Sequence, residues 1–258
     1  MGMNRIRNKL NRCYTKYLLK THQDIFVHND TSIRYLFVPR KGAKTIVVVF
    51  SGMNPSRASY HYLDALNGLN CHRLYVLDDI GDPVLGCYYL GTDGNNQVEI
   101  AVKKLVDDIC YKVPDCQLIF CGSSKGGYAA INMGMDYPNS IMIAGAPQYK
   151  LGYYLTHRKS PELLNVVMGE TYTQSDIDVL DAKIQRKINH SGSMHGGKIY
   201  LHYSNKEHTF EEHIQYLLAD LDKVRFPCFE DRADYSEHND VAIYFPVYLI
   251  KTLRMLLG

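Results

Sequence analysis

At 258 residues, with 46% hydrophobic and 22% charged residues, the chain can bury the core of one large domain, and its net charge of +2 argues neither for nor against a polyanionic partner. No run approaches the roughly eighteen apolar residues of a membrane span, and the N-terminus lacks the apolar core of a secretory signal, so a cytoplasmic location is expected. Seven cysteines, an odd number with no Cys-x-x-Cys pair, point to buried thiols in a reducing compartment rather than to a disulfide framework.

The first 22 residues carry Arg5, Arg7, Lys9, Arg12, Lys16 and Lys20 with no acidic residue before Asp24, while Ile6, Leu10, Cys13 and Tyr17 recur at helical spacing. A basic amphipathic helix is predicted there, either packed on the domain edge or touching an anionic membrane surface or a phosphate-bearing polymer. Ile33–Val38 alternates as an edge strand does, and Thr45–Phe50 is uniformly apolar and β-branched, as a central strand would be. Another strand is predicted at Arg73–Leu77 and a helix from about Gln97 to Tyr111. Then Gln117-Leu-Ile-Phe-Cys-Gly-Ser-Ser-Lys-Gly-Gly-Tyr-Ala-Ala130 drives an apolar run into Gly-x-Ser-x-Gly and on into helix formers.

That strand–turn–helix reads as a nucleophile elbow. The turn lifts the hydroxyl of Ser124 clear of the sheet, and a side chain at Gly122 or Gly126 would clash. Its helix is expected to stop at Tyr137-Pro138, followed by strands at Ser140–Ala144 and Lys198–Tyr203. The polar, helix-like segment 150–197 fits no sheet position and is read as a helical cap insertion. Residues 240–257 are predicted to be an apolar C-terminal helix. Strands alternating with helices give an α/β fold with a mostly parallel central sheet flanked by helices, of the α/β-hydrolase type, in a single domain spanning 1–258.

A serine hydroxyl needs a histidine to take its proton and an acid to orient that histidine. In this fold the acid follows a late strand and the histidine precedes the last helix. Glu207 and His238 meet that order, with Asp231, Asp234 and Asp240 close enough in sequence to His238 to serve as the acid instead. Ser123 is the neighbour most easily mistaken for the nucleophile. The oxyanion would be bound by the backbone N–H groups of Lys125 and of Met53, the latter in Ser51-Gly-Met-Asn-Pro55. The Lys125 side chain is read as solvent-facing and able to attract an anionic group. No metal is expected: His208 and His213 are five apart, and Cys116 and Cys121 lie on opposite faces of a strand. No phosphate-binding glycine loop is present, and no nucleic-acid partner is expected.

Gly122-Ser-Ser-Lys-Gly-Gly127, Ala146-Pro-Gln-Tyr-Lys-Leu151, Leu77-Asp-Asp79 with Tyr88-Tyr89 beyond it, and His238-Asn-Asp together resemble the α/β-hydrolase-fold family of bacterial capsule polysaccharide O-acetyltransferases, over most of the chain from about Phe37. The resemblance implies transfer of acetyl from acetyl-CoA to a sugar hydroxyl of a polysaccharide or oligosaccharide acceptor, through an acetyl-serine on Ser124 with His238 as base. The family's acid is aspartate, and the matching place here holds Glu207. The alternatives are a carbohydrate esterase using the same residues, and a catalytically silent fold member serving as a binding subunit in capsule assembly, with the basic N-terminus contacting that machinery.

Overall fold

The structure, a computed structural model, describes residues 13–54, 56–158 and 161–258. A helix over residues 13–21 (α1) leads into a hairpin, β1 (Gln23–His28) and β2 (Thr31–Val38), then β3 (Thr45–Phe50) and β4 (His72–Val76). Helix α2 (Gln97–Tyr111), β5 (Gln117–Ser123), α3 (Lys125–Gly134) and β6 (Ile141–Gly145) follow. Four helices come next: α4 (Leu151–His157), α5 (Pro161–Met168), α6 (Gln174–Asp181) and α7 (Lys183–Ser191). The chain closes with β7 (Lys198–Tyr203), α8 (Gln215–Lys223), β8 (Cys228–Arg232) and α9 (Val241–Leu257).

The eight strands form one sheet in the order β1-β2-β4-β3-β5-β6-β7-β8. The hairpin and the β2–β4 pairing are antiparallel and all other pairings parallel. Parallel central strands must be apolar on both faces, and β3 shows why. Ile46, Val48 and Phe50 enter one core with α2, α3 and the α4–α7 region, while Val47 and Val49 enter a second with Leu18 of α1 and Phe245, Leu249 and Leu253 of α9. Parallel pairing also aligns the C-terminal ends of β3, β5, β6 and β7, which is where loops in such sheets form a crevice for ligands.

Two strands depart from expectation. Ile33–Val38 is not the edge, because β1 pairs outside it through a two-residue turn in which Asn29 takes φ 51°. The stretch 228–232, for which no strand is predicted, is the opposite edge strand β8. Of the predicted basic helix, residues 13–21 are helical; Arg5, Arg7, Lys9 and Arg12 lie outside the described residues. No helix among the described residues is long and apolar enough to cross a membrane.

The helices between β6 and β7 are anchored by charge as well as by apolar contact. Buried Glu99 of α2 meets Lys183 at 2.7 Å and Lys187 at 2.9 Å, both on α7, and accepts from Asn132 of α3 at 2.9 Å. Lys187 continues to Asp136 at 2.7 Å. Burial pushes the Glu99 carboxyl up, but the two lysines outweigh it and hold it at about 2. A carboxyl depressed from 4.5 contributes its stability in full above that value and loses it as pH falls toward 2. We predict that Glu99→Gln costs about 3 kcal/mol at pH 7, since a tenfold change in a carboxyl's proton affinity corresponds to about 1.4 kcal/mol. The difference from wild type in urea denaturation should shrink as pH falls from 4.5 toward 2.

Candidate active site

Between β5 and α3 the backbone turns at Ser124 with φ 53° and ψ −121°, a region few residues with a side chain occupy, and one whose strain is tolerated when the surroundings enforce it. A Cβ on Gly122 would lie 2.5 Å from the Gly126 backbone and 2.7 Å from the Phe50 carbonyl, and one on Gly126 would collide with that same carbonyl. Helix α3 therefore packs backbone to backbone on β3 and β5. The Ser124 N–H is held by the Gly145 carbonyl at 2.7 Å.

The turn aims Ser124 Oγ at His238 Nε2, 2.9 Å away, and His238 Nδ1 lies 3.0 Å from Glu207 Oε2. His238 opens the short turn before α9, and Glu207 follows the end of β7. The Thr209 hydroxyl also donates to Glu207. Burial raises the Glu207 carboxyl, yet His238, then Thr209, more than offset it and hold it below the usual glutamate value. With an ionised carboxylate on Nδ1, that nitrogen carries the proton and Nε2 is left as an acceptor for the serine hydroxyl.

The other candidate acids are engaged elsewhere or bond no ring nitrogen of His238. Asp231 pairs with His202 at 2.6 Å and Asp234 with Lys206 at 2.5 Å; Asp240 sits in the turn that His238 opens, and the carboxylate on Nδ1 is that of Glu207. The Ser123 hydroxyl bonds to Tyr62 at 2.7 Å and takes no part in the chain.

Ser124, His238, Gly52, Met53, His61, Tyr62 and Tyr154 line a cavity of about 430 Å³. Met53 is thus beside the serine. Lys125 is the first residue of α3, where backbone N–H groups have no partner within the helix. Its side chain overturns the expectation of a solvent-facing cation. Lys125 is 2% exposed, and its Nζ bonds Asp78 at 2.9 Å and the Leu85 carbonyl at 2.7 Å, below the elbow. The reason is Asp78, a buried carboxylate needing compensation. It also accepts from the N–H groups of Cys87 at 3.0 Å and Tyr89 at 3.2 Å. The hydroxyl of Tyr89 in turn takes the Ser51 N–H at 2.7 Å, which anchors the loop carrying Gly52 and Met53.

Two residues of the site escaped the sequence reading. His61 Nδ1 accepts from the Gly52 N–H at 3.3 Å, and burial, then the charge of Lys125, lowers its pKa to about 4, so it is neutral at pH 7. Gln148, within the Ala146-Pro-Gln string, donates its Nε2 to Ser124 Oγ at 3.1 Å. Nothing in either one's sequence setting marks it as adjacent to the serine. For metals, Glu207, His208 and His238 bring one ligand atom each within 4.8 Å of the others. Both nitrogens of His238 are already committed, so an ion there would have to break the serine–histidine–glutamate chain.

An eight-stranded, mostly parallel sheet with a Ser–His–carboxylate chain at its C-terminal edge defines an α/β-hydrolase-like fold. Within that class the chain resembles the capsule O-acetyltransferase of Neisseria meningitidis serogroup A, with TM-score 0.71, 23% identity, and 89% of this chain and 94% of that chain covered. A histidine-to-alanine mutant of that enzyme in complex with CoA superimposes with TM-score 0.70 at 21% identity, covering 90% and 94% of the two chains. The Glycosylation Associate Protein (Gap123) complex from Streptococcus agalactiae gives 0.74 at 17% identity, over 92% of this chain and 46% of that one. An S-formylglutathione hydrolase from Agrobacterium tumefaciens gives 0.63 at 11% identity, over 92% and 95%. At these identities what is shared is the fold. No family model and no curated protein matches the sequence.

Removing the cation beneath the elbow leaves Asp78 buried and uncompensated. Lys125→Met is expected to lower stability by about 3–5 kcal/mol, measured by urea denaturation; an unchanged midpoint would show that the pair does not hold the elbow.

Proposed function

We propose that the chain is a serine acyltransferase that takes acetyl from acetyl-CoA onto Ser124 and passes it to a hydroxyl of a glycan, such as a capsular polysaccharide. The observation that carries this reading is the continuous hydrogen-bond chain from Ser124 Oγ through His238 to buried Glu207. Likeness of fold to a capsule O-acetyltransferase supports the choice of transfer over hydrolysis.

In this mechanism Ser124 Oγ attacks the thioester carbon while its proton passes to His238 Nε2. Glu207 holds the ring and stabilises the imidazolium. The backbone N–H groups of Met53 and Lys125 receive the negative charge on the carbonyl oxygen. The C–S bond then breaks, and His238 returns the proton to the departing sulfur. In the second half His238 takes the proton of the sugar hydroxyl, whose oxygen attacks the acetyl-serine, and Ser124 Oγ leaves and is reprotonated. The site cavity shares Tyr62 and Pro246 with a second cavity of about 510 Å³ lined by Arg57, Tyr60 and Asp64. The same residues with water as acceptor would give an esterase, and hydrolases are among the proteins that share the fold.

Incubation with acetyl-CoA and no acceptor is expected to add one acetyl group to the intact mass of the wild type and none to Ser124→Ala, with CoA released. Rapid CoA release without an adduct would indicate hydrolysis, and no CoA release at all would overturn acetyl-CoA as donor. Glu207→Gln should retain the fold and lose roughly 10⁴-fold in turnover, the size of effect seen when a triad acid is made neutral and the histidine tautomer changes.

A further inference from the structure

Gln148 is wholly buried, and only one end of its amide is satisfied. Its Nε2 donates to Ser124 Oγ at 3.1 Å, while its Oε1 has no partner among the described residues. Proteins seldom bury an amide this way without a reason, because the orphaned carbonyl loses its water and gains nothing. The backbone that delivers it is also strained. Ala146, directly after β6, takes φ 38°, a left-handed value unfavourable for a residue with a Cβ. Pro147 then turns against α3, close to Gly127. On the far side the segment is pinned by Tyr149, whose hydroxyl donates to Asp220 at 2.7 Å, and by the Lys150 N–H, which His213 accepts at 3.3 Å. The chain thus bends back at a cost to place one N–H on one oxygen.

Proton counting fixes the direction of that bond. Ser124 Oγ has a single proton, and His238 Nε2 is the acceptor for it because Nδ1 faces the Glu207 carboxylate. Oγ can therefore only accept from Gln148. Turning the amide over would set Oε1 against an oxygen with no proton left to offer.

We propose that Gln148 is a further catalytic residue, a side-chain donor that stabilises negative charge on Ser124 Oγ itself. This rests on the reading of Ser124 as the nucleophile. The backbone N–H groups of the proposed oxyanion site serve the substrate's carbonyl oxygen; Gln148 serves the other oxygen of the tetrahedral species. As Oγ gives its proton to His238 and its bond to the acyl carbon forms, the Gln148 bond becomes charge-assisted and strengthens. In the acyl-enzyme Oγ is an ester oxygen and a poor acceptor, so the bond weakens. It strengthens again when the C–Oγ bond breaks and Oγ leaves with the electron pair. An interaction stronger at these two points than in the ground states between them accelerates both half-reactions.

The test is the second-order rate of labelling by a fluorophosphonate, in which Oγ bonds phosphorus, fluoride leaves and the proton passes to His238. It is run on wild type, Ser124→Ala, Gln148→Met and Gln148→Leu, each with its thermal midpoint. Both Gln148 variants keep the bulk and remove the donor and the orphaned carbonyl together. The expected result is labelling slowed roughly 10- to 100-fold, below the loss for a full oxyanion donor, in folded protein whose midpoint is equal to or above that of wild type. Should one variant fail to fold, the other decides. Wild-type labelling rates in a folded Gln148 variant would overturn the proposal while leaving Ser124 as nucleophile. A wild type that is not labelled, or a Ser124→Ala that labels equally, would overturn both.

Discussion

The buried ion pair between Asp78 and Lys125 is the contact on which the site's geometry depends. Both side chains are nearly inaccessible, at 0% and 3% exposure, so neither charge is tolerable without the other. Asp78 also gathers the N–H groups of Cys87 and Tyr89, and Gly86 must lack a side chain because a Cβ would strike that carboxylate. From Tyr89 the connection runs through its hydroxyl to Ser51. One carboxylate therefore sets the start of the elbow helix and the loop facing it. The serine, and the two backbone positions proposed to bind the oxyanion, are held relative to one another by a carboxylate shut away from solvent.

Much of this was legible in the sequence where one local rule decides the outcome. Thr45–Phe50 is recognisable as a strand because a two-sided burial requirement leaves an almost unbroken apolar, β-branched run. The elbow is recognisable because two glycines are demanded by contacts of the backbone with itself. The order serine, acid, histidine led to Ser124, Glu207 and His238, which the fold brings into one hydrogen-bond chain.

What the sequence hid has physical reasons. Strands β1 and β8 lie at the sheet's two edges, where most side chains remain in water, so each offers only a short apolar run, Ile25-Phe26-Val27 and Cys228-Phe229, beside polar residues. Lys125 reads as a surface residue because lysine usually is one, and its partner lies 47 positions earlier. Asp78 and Gln148 both stood in strings that marked a family likeness, yet their roles come from long-range contacts that no local spacing encodes. The aspartates near His238 stayed open beside Glu207 because what sets two of them aside is tertiary: His202 engages Asp231 and Lys206 engages Asp234.

Tyr62 stands in a left-handed backbone conformation, φ 61°, with its hydroxyl on Ser123 and its ring against Phe245. Together with Pro246 it is the wall common to both cavities. A shared wall couples the shapes of the two compartments: trimming it enlarges both, and filling one side crowds the other. If the two molecules of a transfer reaction lie on its opposite sides, selectivity for one cannot drift independently of selectivity for the other. Divergence toward new acceptors would then be channelled into the outer residues, Arg57, Tyr60 and Asp64, which line only the second cavity.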